Sequence, residues 1–286
     1  MSKSVIVQIS DRRISHLYPD GTVRLRDDTT NKALLYENHA IAAFTGHALL
    51  EGQTTDMWVA TRLAQHPSSL DEGLYEVQQD LNRLFRRSPY RGVPHSIVVA
   101  GWKRNGLDEP TAFSGMVSNV FEPGRGWRSS VSQEFCYFAQ FEEAEITRPV
   151  LVFAPDMVYK GDQIALYRQL LEVGFRQLSV WHAVRLIADT FRSVADYRPT
   201  VGRELMISIL PRSAAPRVAT AELMVRNYEL SPETPSFWTL STSGDPVQYG
   251  PTMILKGVIV SGYEGTFGPG FSGGVIVSRG DDPPTN

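Results

Sequence analysis

The order of strand and helix patterns along the chain constrains its fold more than any other feature. Four strand patterns are followed by two helical patterns, two strands, two further helical patterns and a last strand. Because strands come in blocks and helices in pairs, this order predicts an α+β fold in which helix pairs cover stacked antiparallel sheets. The predicted strands span residues 5–9, 14–17, 32–36, 40–44, 96–102, 111–117 and 205–210, and the predicted helices span 55–65, 69–87, 162–172 and 179–195.

Turn and capping residues set several of these boundaries. We expect residues 14–17 to return as the hairpin partner of residues 5–9, after a polar turn at residues 11–13. Ser69 and Glu72 have the spacing of a capping box, in which each residue satisfies a free backbone N–H at a helix start. This spacing predicts that the second helix begins next to Ser69.

Composition changes near residue 211. The chain of 286 residues is about twice as long as a typical domain, and its last quarter is richer in proline and glycine. Within that quarter the patterns predict one short helix and two strands, at residues 219–225, 253–260 and 275–277. We therefore predict one domain over residues 1–211 and a C-terminal extension, mainly strand and loop, over residues 212–286.

The charge balance and the supply of metal-binding residues exclude several functions. A formal net charge of −3 provides no broad basic surface for nucleic acid. The single cysteine, Cys136, cannot form an internal disulfide or a thiolate cluster, and the six histidines lack paired metal-ligand spacing. We therefore expect no metal, no cofactor and no nucleic-acid partner.

The start of the chain carries no pattern of an export signal. Its apolar stretch at residues 5–9 is too short for a signal peptide, and no apolar run in the chain reaches the length of a membrane span. These observations predict a cytoplasmic protein without a membrane partner.

Local sequences in five segments add to the element order. They lie at residues 31–36 (Asn-Lys-Ala-Leu-Leu-Tyr), 40–46 (Ala-Ile-Ala-Ala-Phe-Thr-Gly), 96–102 (Ser-Ile-Val-Val-Ala-Gly-Trp), 110–117 and 196–210. In this order the segments resemble the proteasome β-type branch of the Ntn-hydrolases, over roughly residues 2–211. The resemblance implies a four-layer αββα sandwich.

The resemblance also implies a catalytic mechanism. In that family an N-terminal hydroxyl or thiol residue is the nucleophile and its own α-amine is the base, while a nearby lysine lowers the pKa of that amine. Ser2, exposed once Met1 is removed, corresponds to the nucleophile and Lys32 to the lysine, with Asp196 and Thr200 as supporting residues. Because the only cysteine is far from the N-terminus, the nucleophile must be a hydroxyl. The implied substrate is a peptide or amide bond, and the implied assembly is a homo-oligomer.

Three departures from the family pattern favour a different function. Residues 15–18 lack the small residue and aspartate that pair with the lysine, and residues 135–140 lack the Gly-Ser-Gly loop beside the nucleophile. The late Asp-x-x-Ser-Gly loop is represented only by residues 196–202, where Thr200 could replace the serine. The alternative is a non-catalytic proteasome-like subunit that serves assembly or binding.

Three further patterns have simple structural explanations. Asp27 and Asp28 fit a solvated turn better than a pair with Lys32. Residues 270–274 match G-x-S-x-G, but no histidine follows and a strand pattern replaces the required helix, so we predict a glycine-rich turn. A basic cluster at the end of the second helix fits either the helix dipole or a partner surface, and consists of Arg83, Arg86, Arg87 and Arg91.

Overall fold

The computed structural model describes most of the chain. The described residues are 5–17, 20, 22–28, 30–103, 110–128, 130–141, 180–212, 236–240, 246–261, 263–264 and 276–279. Within them the structure has nineteen strands and three helices, so strands dominate a mixed fold. No helix in this part of the chain is both long and apolar enough to cross a lipid bilayer.

Strands and helices alternate in blocks, as the sequence predicts for the described regions. The strands are β1 (Val5–Asp11), β2 (Ile14–Leu17), β3 (Val23–Asp27), β4 (Ala33–Tyr36), β5 (Ala40–Thr45), β6 (Leu49–Leu50), β7 (Gln53–Thr54), β8 (Ser96–Lys103), β9 (Thr111–Ser118), β10 (Phe121–Glu122), β11 (Gly126–Trp127), β12 (Cys136–Phe141), β13 (Leu205–Pro211), β14 (Ser236–Leu240), β15 (Pro246–Gly250), β16 (Thr252–Leu255), β17 (Val258–Ser261), β18 (Tyr263–Glu264) and β19 (Ile276–Arg279). The helices are α1 (Thr55–Leu63), α2 (Leu70–Leu84) and α3 (Val180–Tyr197).

Two large sheets contain most of these strands. One has five strands in the order β1-β13-β14-β15-β18, and the other has eight in the order β12-β9-β8-β5-β4-β16-β17-β19. In the first sheet β1 runs antiparallel to β13, with Val5 opposite Pro211 and Asp11 opposite Leu205. In the second, β16 lies parallel to β4, with Thr252 opposite Leu34.

Strands from residues 236–279 lie in both large sheets. β14 extends the five-stranded sheet beside β13, and β16 extends the eight-stranded sheet beside β4. Backbone pairing therefore crosses the change of composition near residue 211. The division into residues 1–211 and 212–286 stays a prediction.

Side-chain alternation along β4 connects the sheets and helices. Leu34 and Tyr36 belong to a hydrophobic cluster with α1 and α2, whereas Leu35 belongs to a second cluster with Ile6 of β1. Successive side chains of a strand point to opposite faces, so one face of β4 packs on helices and the other on the five-stranded sheet. On the outer side of the five-stranded sheet, Val184 of α3 packs against residues of β1 and β13.

Several predicted boundaries are confirmed. The predicted strands at residues 40–44 and 96–102 correspond to β5 and β8, and the fourth predicted helix corresponds to α3. At the start of α2, Ser69 Oγ accepts a hydrogen bond from Glu72 N at 3.3 Å, as capping predicts. The predicted helices at 162–172 and 219–225, like the segment 270–274, lie outside the described residues.

Two predicted strand arrangements are wrong. β2 pairs with β3, and β13 takes the place beside β1 that the sequence assigned to residues 14–17. The single strand predicted at 253–260 is two strands, β16 and β17, joined by a turn in which Lys256 has φ +52° and Gly257 has φ +74°. Two consecutive residues in the left-handed region form a tight hairpin turn, which the apolar run around them conceals.

Candidate functional site

Lys32 immediately precedes β4 and points to the end of β1. Its Nζ lies 2.9 Å from Oδ1 of Asp11, the last residue of that strand. The Lys32 side chain is 13% exposed and the Asp11 side chain 15%, so water screens this ion pair less than it screens a surface pair. The ammonium of the predicted catalytic lysine is thus paired with a carboxylate.

Asp11 Oδ1 accepts two further hydrogen bonds, both from backbone N–H groups. Arg13 N donates at 2.9 Å and Gly202 N at 3.1 Å. The bond from Arg13 is an Asx turn, which bends the chain directly after β1. One carboxylate therefore joins the end of β1, the start of β4 and the loop that precedes β13.

Arg13 forms a second ion pair next to this carboxylate, with Asp28. Its Nε donates to Asp28 Oδ1 at 2.9 Å and its Nη2 to Asp28 Oδ2 at 3.2 Å, a two-pronged pair of the kind guanidinium favours. The hydrogen bond to Asp28 raises the pKa of Arg13 above its ordinary value. Arg13 Nη1 also donates to Pro199 O at 3.2 Å, which holds the loop before β13.

Gly202 fits this place because of a close approach. A Cβ at residue 202 would lie 2.7 Å from Arg13 Cβ and 3.2 Å from Arg13 N. Real Cβ atoms do not tolerate the first distance, so a larger residue must displace the loop or Arg13. We call the group Asp11, Arg13, Asp28, Lys32 and Gly202 the Lys32 junction.

The solvated turn predicted for Asp27 and Asp28 is a more specific structure. Asp28 is bound by Arg13, and Asp27 accepts a hydrogen bond from the Thr30 hydroxyl. Lys32 takes Asp11 as its partner, so neither of the two aspartates pairs with it. Sequence reasoning missed this role of Asp11, for which the only signal is its place as the first charged residue after the strand pattern.

The structure brings part of the predicted late loop to Lys32. Gly202 reaches the junction, whereas Asp196 forms an ion pair with Arg203 at 2.9 Å in which both side chains are more than half exposed. Thr200 is exposed in the adjoining turn. Within the described part of the chain, neither Asp196 nor Thr200 bonds to Lys32, and their catalytic roles stay predictions.

Ser2 lies outside the described residues. The first described residue is Val5, which pairs with Pro211 at one end of β1. The Lys32 junction lies at the other end of the same seven-residue strand. At about 3.3 Å per residue, the Cα atoms of Val5 and Asp11 are roughly 20 Å apart.

A second polar group lies beneath α1 and was not predicted from the sequence. The buried carboxylate of Asp56 accepts a hydrogen bond from Thr252 Oγ1 at 2.6 Å, and Thr252 Oγ1 accepts one from Asn31 Nδ2 at 3.3 Å. Burial raises the pKa of Asp56, an effect that the bond from Thr252 partly offsets. We call these three residues the Asp56 link, which connects α1 to β16 and to the residues just before β4.

Two histidines lie in an aromatic cluster near the end of α2. His95 is fully buried between Phe85 and Phe135, and neither of its ring nitrogens has a hydrogen-bond partner among the described residues. Burial lowers the pKa of His95 to about 3, and the nearby His47 adds to this shift. Within the described part of the chain, no three His, Cys, Asp or Glu residues form a group that could hold a metal ion.

Comparisons with known proteins give a distant structural likeness. No family model matches the chain, and no curated protein sequence matches it. Among solved structures, the chain is similar to a Gly-1 mutant of Anbu from Hyphomicrobium sp. strain MC1, with 12% identity and a TM-score of 0.41. The alignment covers 72% of this chain and 76% of that chain. At this TM-score the likeness establishes neither family nor activity.

Proposed function

We propose that this protein is a non-catalytic, proteasome-like subunit that serves assembly or binding. In this proposal the fold is a four-layer αββα sandwich, with α1 and α2 on one outer face and α3 on the other. The packing of α1 and α2 on the eight-stranded sheet, and of α3 on β1 and β13, supports this arrangement.

The pairing of Lys32 with Asp11 carries the functional part of the proposal. In the Ntn mechanism a lysine must lie beside the N-terminal amine whose pKa it lowers. Here the lysine is bonded at the Asp11 end of β1, whereas the chain enters that strand at Val5. Ser2 is three residues before Val5, and three residues reach at most about 11 Å. This reach is less than the roughly 20 Å that separate Val5 from the Asp11 end of the strand, where Lys32 is bonded. A structural role for Lys32 fits this geometry better than a catalytic one.

An Ntn hydrolase acting on peptide or amide bonds is the second candidate. It is favoured by the serine at residue 2 and by Lys32, which lies 30 residues later at the start of a strand. In this candidate Ser2 is the nucleophile, its α-amine is the base, and Asp196 and Thr200 support Lys32. The protein would then be a homo-oligomeric cytoplasmic hydrolase.

Covalent labelling separates the two candidates. The purified protein is incubated with a peptide β-lactone, which acylates a reactive hydroxyl, and its intact mass is measured. The non-catalytic proposal expects no adduct, whether or not Met1 has been removed. An adduct located at Ser2, absent from both the Ser2→Ala and the Lys32→Met variants, would establish the hydrolase instead. Arg26→Met, which removes an exposed positive charge on β3, is the matched control for the loss of the Lys32 charge.

A further inference from the structure

The outward face of α2 is a stripe of exposed side chains. Glu72, Tyr75, Gln79, Arg83 and Arg86 follow one another at spacings of three or four residues, and all five are exposed. Residues at these spacings lie on one side of a helix. Although α2 ends at Leu84, Arg87 N donates to Leu84 O at 3.0 Å, so the chain keeps turning beyond that residue.

The charge on this stripe is divided along its length. Its first part has Glu72, with Asp71 beside it, and its last part has Arg83 and Arg86, with Arg87 beside them. The helix dipole stabilises acidic residues at the start of a helix and basic residues at its end, but that effect requires no particular spacing. The spacing here is symmetric about Gln79, because Glu72 and Arg86 are each seven residues from it, on opposite sides.

The charged side chains of this stripe remain largely exposed although each has a nearby partner in the same chain. Glu72 has a 72% exposed side chain and lies 3.6 Å from His66 Nδ1, and Arg86 has a 66% exposed side chain and lies 4.0 Å from Glu134. Arg83 contacts Asp80 within the helix but is still 72% exposed. Exposed pairs of this kind contribute little, so a partner can compete for them.

The same face has a groove and an exposed aromatic ring. An open groove of about 830 Å³ is lined by residues of α2, including Tyr75, Gln79 and Arg83, and by His66 from the preceding turn. Tyr75 is 58% exposed, one of two large hydrophobic residues so exposed in the described part of the chain. Tyrosine beside arginine supplies an apolar and cation–π contact at a protein surface.

We propose that this stripe binds the α2 stripe of a second copy of the same chain, antiparallel, with a two-fold axis near Gln79. In that arrangement Glu72 of each copy faces Arg86 of the other, and Tyr75 faces Arg83. A two-fold axis uses each such pair twice, which is the property of a self-complementary interface. The inference uses no residue of the Lys32 junction, so it and the proposed function can fail separately.

The expected dimer is weak and sensitive to salt. A helix of this length is about 22 Å long, and its face alone buries less than the roughly 800 Å² per partner of a typical stable interface. Screening shortens the reach of exposed charges to about 3 Å at 1 M salt. We therefore expect association at low ionic strength and high protein concentration, with dissociation as salt is added.

Charge exchange tests the pairing directly, by sedimentation of the full chain at concentrations up to about 1 mM in low salt. Glu72→Arg alone and Arg86→Glu alone should both weaken the dimer at least about fivefold, since each places like charges together twice. An equimolar mixture of the two variants should associate again, because every Glu–Arg pair is restored between unlike chains. Arg26→Glu, an exposed charge reversal on β3, should leave the dimer unchanged. A chain that stays monomeric throughout, or a mixture no stronger than its components, overturns the proposal.

Disulfide trapping tests the position of the axis. In a Cys136→Ser background, Gln79→Cys should cross-link two copies on mild oxidation, more at low than at high salt. Asp71→Cys should not, because two copies of residue 71 would lie about 24 Å apart along the paired helices, far beyond disulfide reach. Equal cross-linking of both variants would contradict the antiparallel register.

Discussion

Two polar regions of the molecule connect distant parts of the chain by opposite means. The Lys32 junction joins Asp11 to Gly202 through charges that have partners of opposite sign. The Asp56 link joins Asp56 to Thr252 through a buried carboxylate that accepts a hydrogen bond from a neutral hydroxyl. His95 lies in a still more apolar setting, and no described residue forms a hydrogen bond with its ring.

The difference shows how each region responds to a lost partner and to pH. Removing one member of a paired, shielded set leaves the others charged and poorly solvated, which is costly. Groups without an opposite charge instead shift their pKa toward the neutral form, as Asp56 and His95 do. The junction should therefore be sensitive to mutation, and the region beneath α1 and α2 should be sensitive to pH.

The largest effect is expected from Asp11→Ala. This change removes the acceptor of Arg13 N, Gly202 N and Lys32 Nζ at once, and should lower the free energy of unfolding by about 3 kcal/mol. Urea denaturation measures it. Asp196→Ala, which breaks an exposed pair in the adjoining loop, is the control and should cost less than about 0.5 kcal/mol. Equal costs for the two variants would remove the distinction between the junction and the surrounding surface.

His95 should make the protein less stable in acid. Its pKa is about 3 in the folded protein, against an ordinary value of 6.5, so the unfolded chain binds a proton as pH falls below about 6.5 while the folded protein does not. Stability should then decline by about 2 kcal/mol between pH 7 and pH 5, and continue to fall toward pH 3. His95→Phe should abolish this component, as followed by urea denaturation across that range. An unchanged pH dependence in the variant would show that the ring is solvated or paired.

A smaller effect is expected from Thr252→Val, which keeps the shape of the side chain and removes its hydroxyl. Asp56 loses a hydrogen bond that favours its charged form, so the cost should be about 1 kcal/mol near pH 7. Because burial raises the pKa of Asp56, its carboxyl takes up a proton at a higher pH than an ordinary aspartate does, and the cost should shrink as acid protonates it. A cost that grows in acid would contradict the assignment of charge in the Asp56 link.

Local patterns predicted the elements better than their partners. The apolar runs at residues 32–36 and 40–44 predicted β4 and β5, and the serine at 69 predicted the start of α2, since these depend on neighbouring residues. The partner of β1 is about 200 residues away, and residues 14–17 pair with β3 rather than with β1. The Asx turn at Asp11 bends the chain, and Arg12 N bonds to Glu204 O, which continues the pairing toward β13.

The candidate site was only partly predictable for the same reason. The sequence pointed to Lys32 and to the loop at residues 196–202 through the family resemblance of the segments that contain them. It did not identify Asp11 as their common partner, since that role depends on how β1 and β13 are aligned. Nor could it identify the Asp56 link, whose members come from three separated segments.

A double-mutant cycle between Lys32 and Asp11 tests the structural role of Lys32 most directly. The free energy of unfolding is measured for the unmodified protein, Lys32→Met, Asp11→Ala and the double variant. If the ammonium serves the junction, the double variant should be more stable than the sum of the two single losses predicts, with a coupling energy of at least about 1 kcal/mol. Additive losses, with a coupling energy within about 0.3 kcal/mol of zero, would contradict the structural role and return Lys32 to the catalytic candidate.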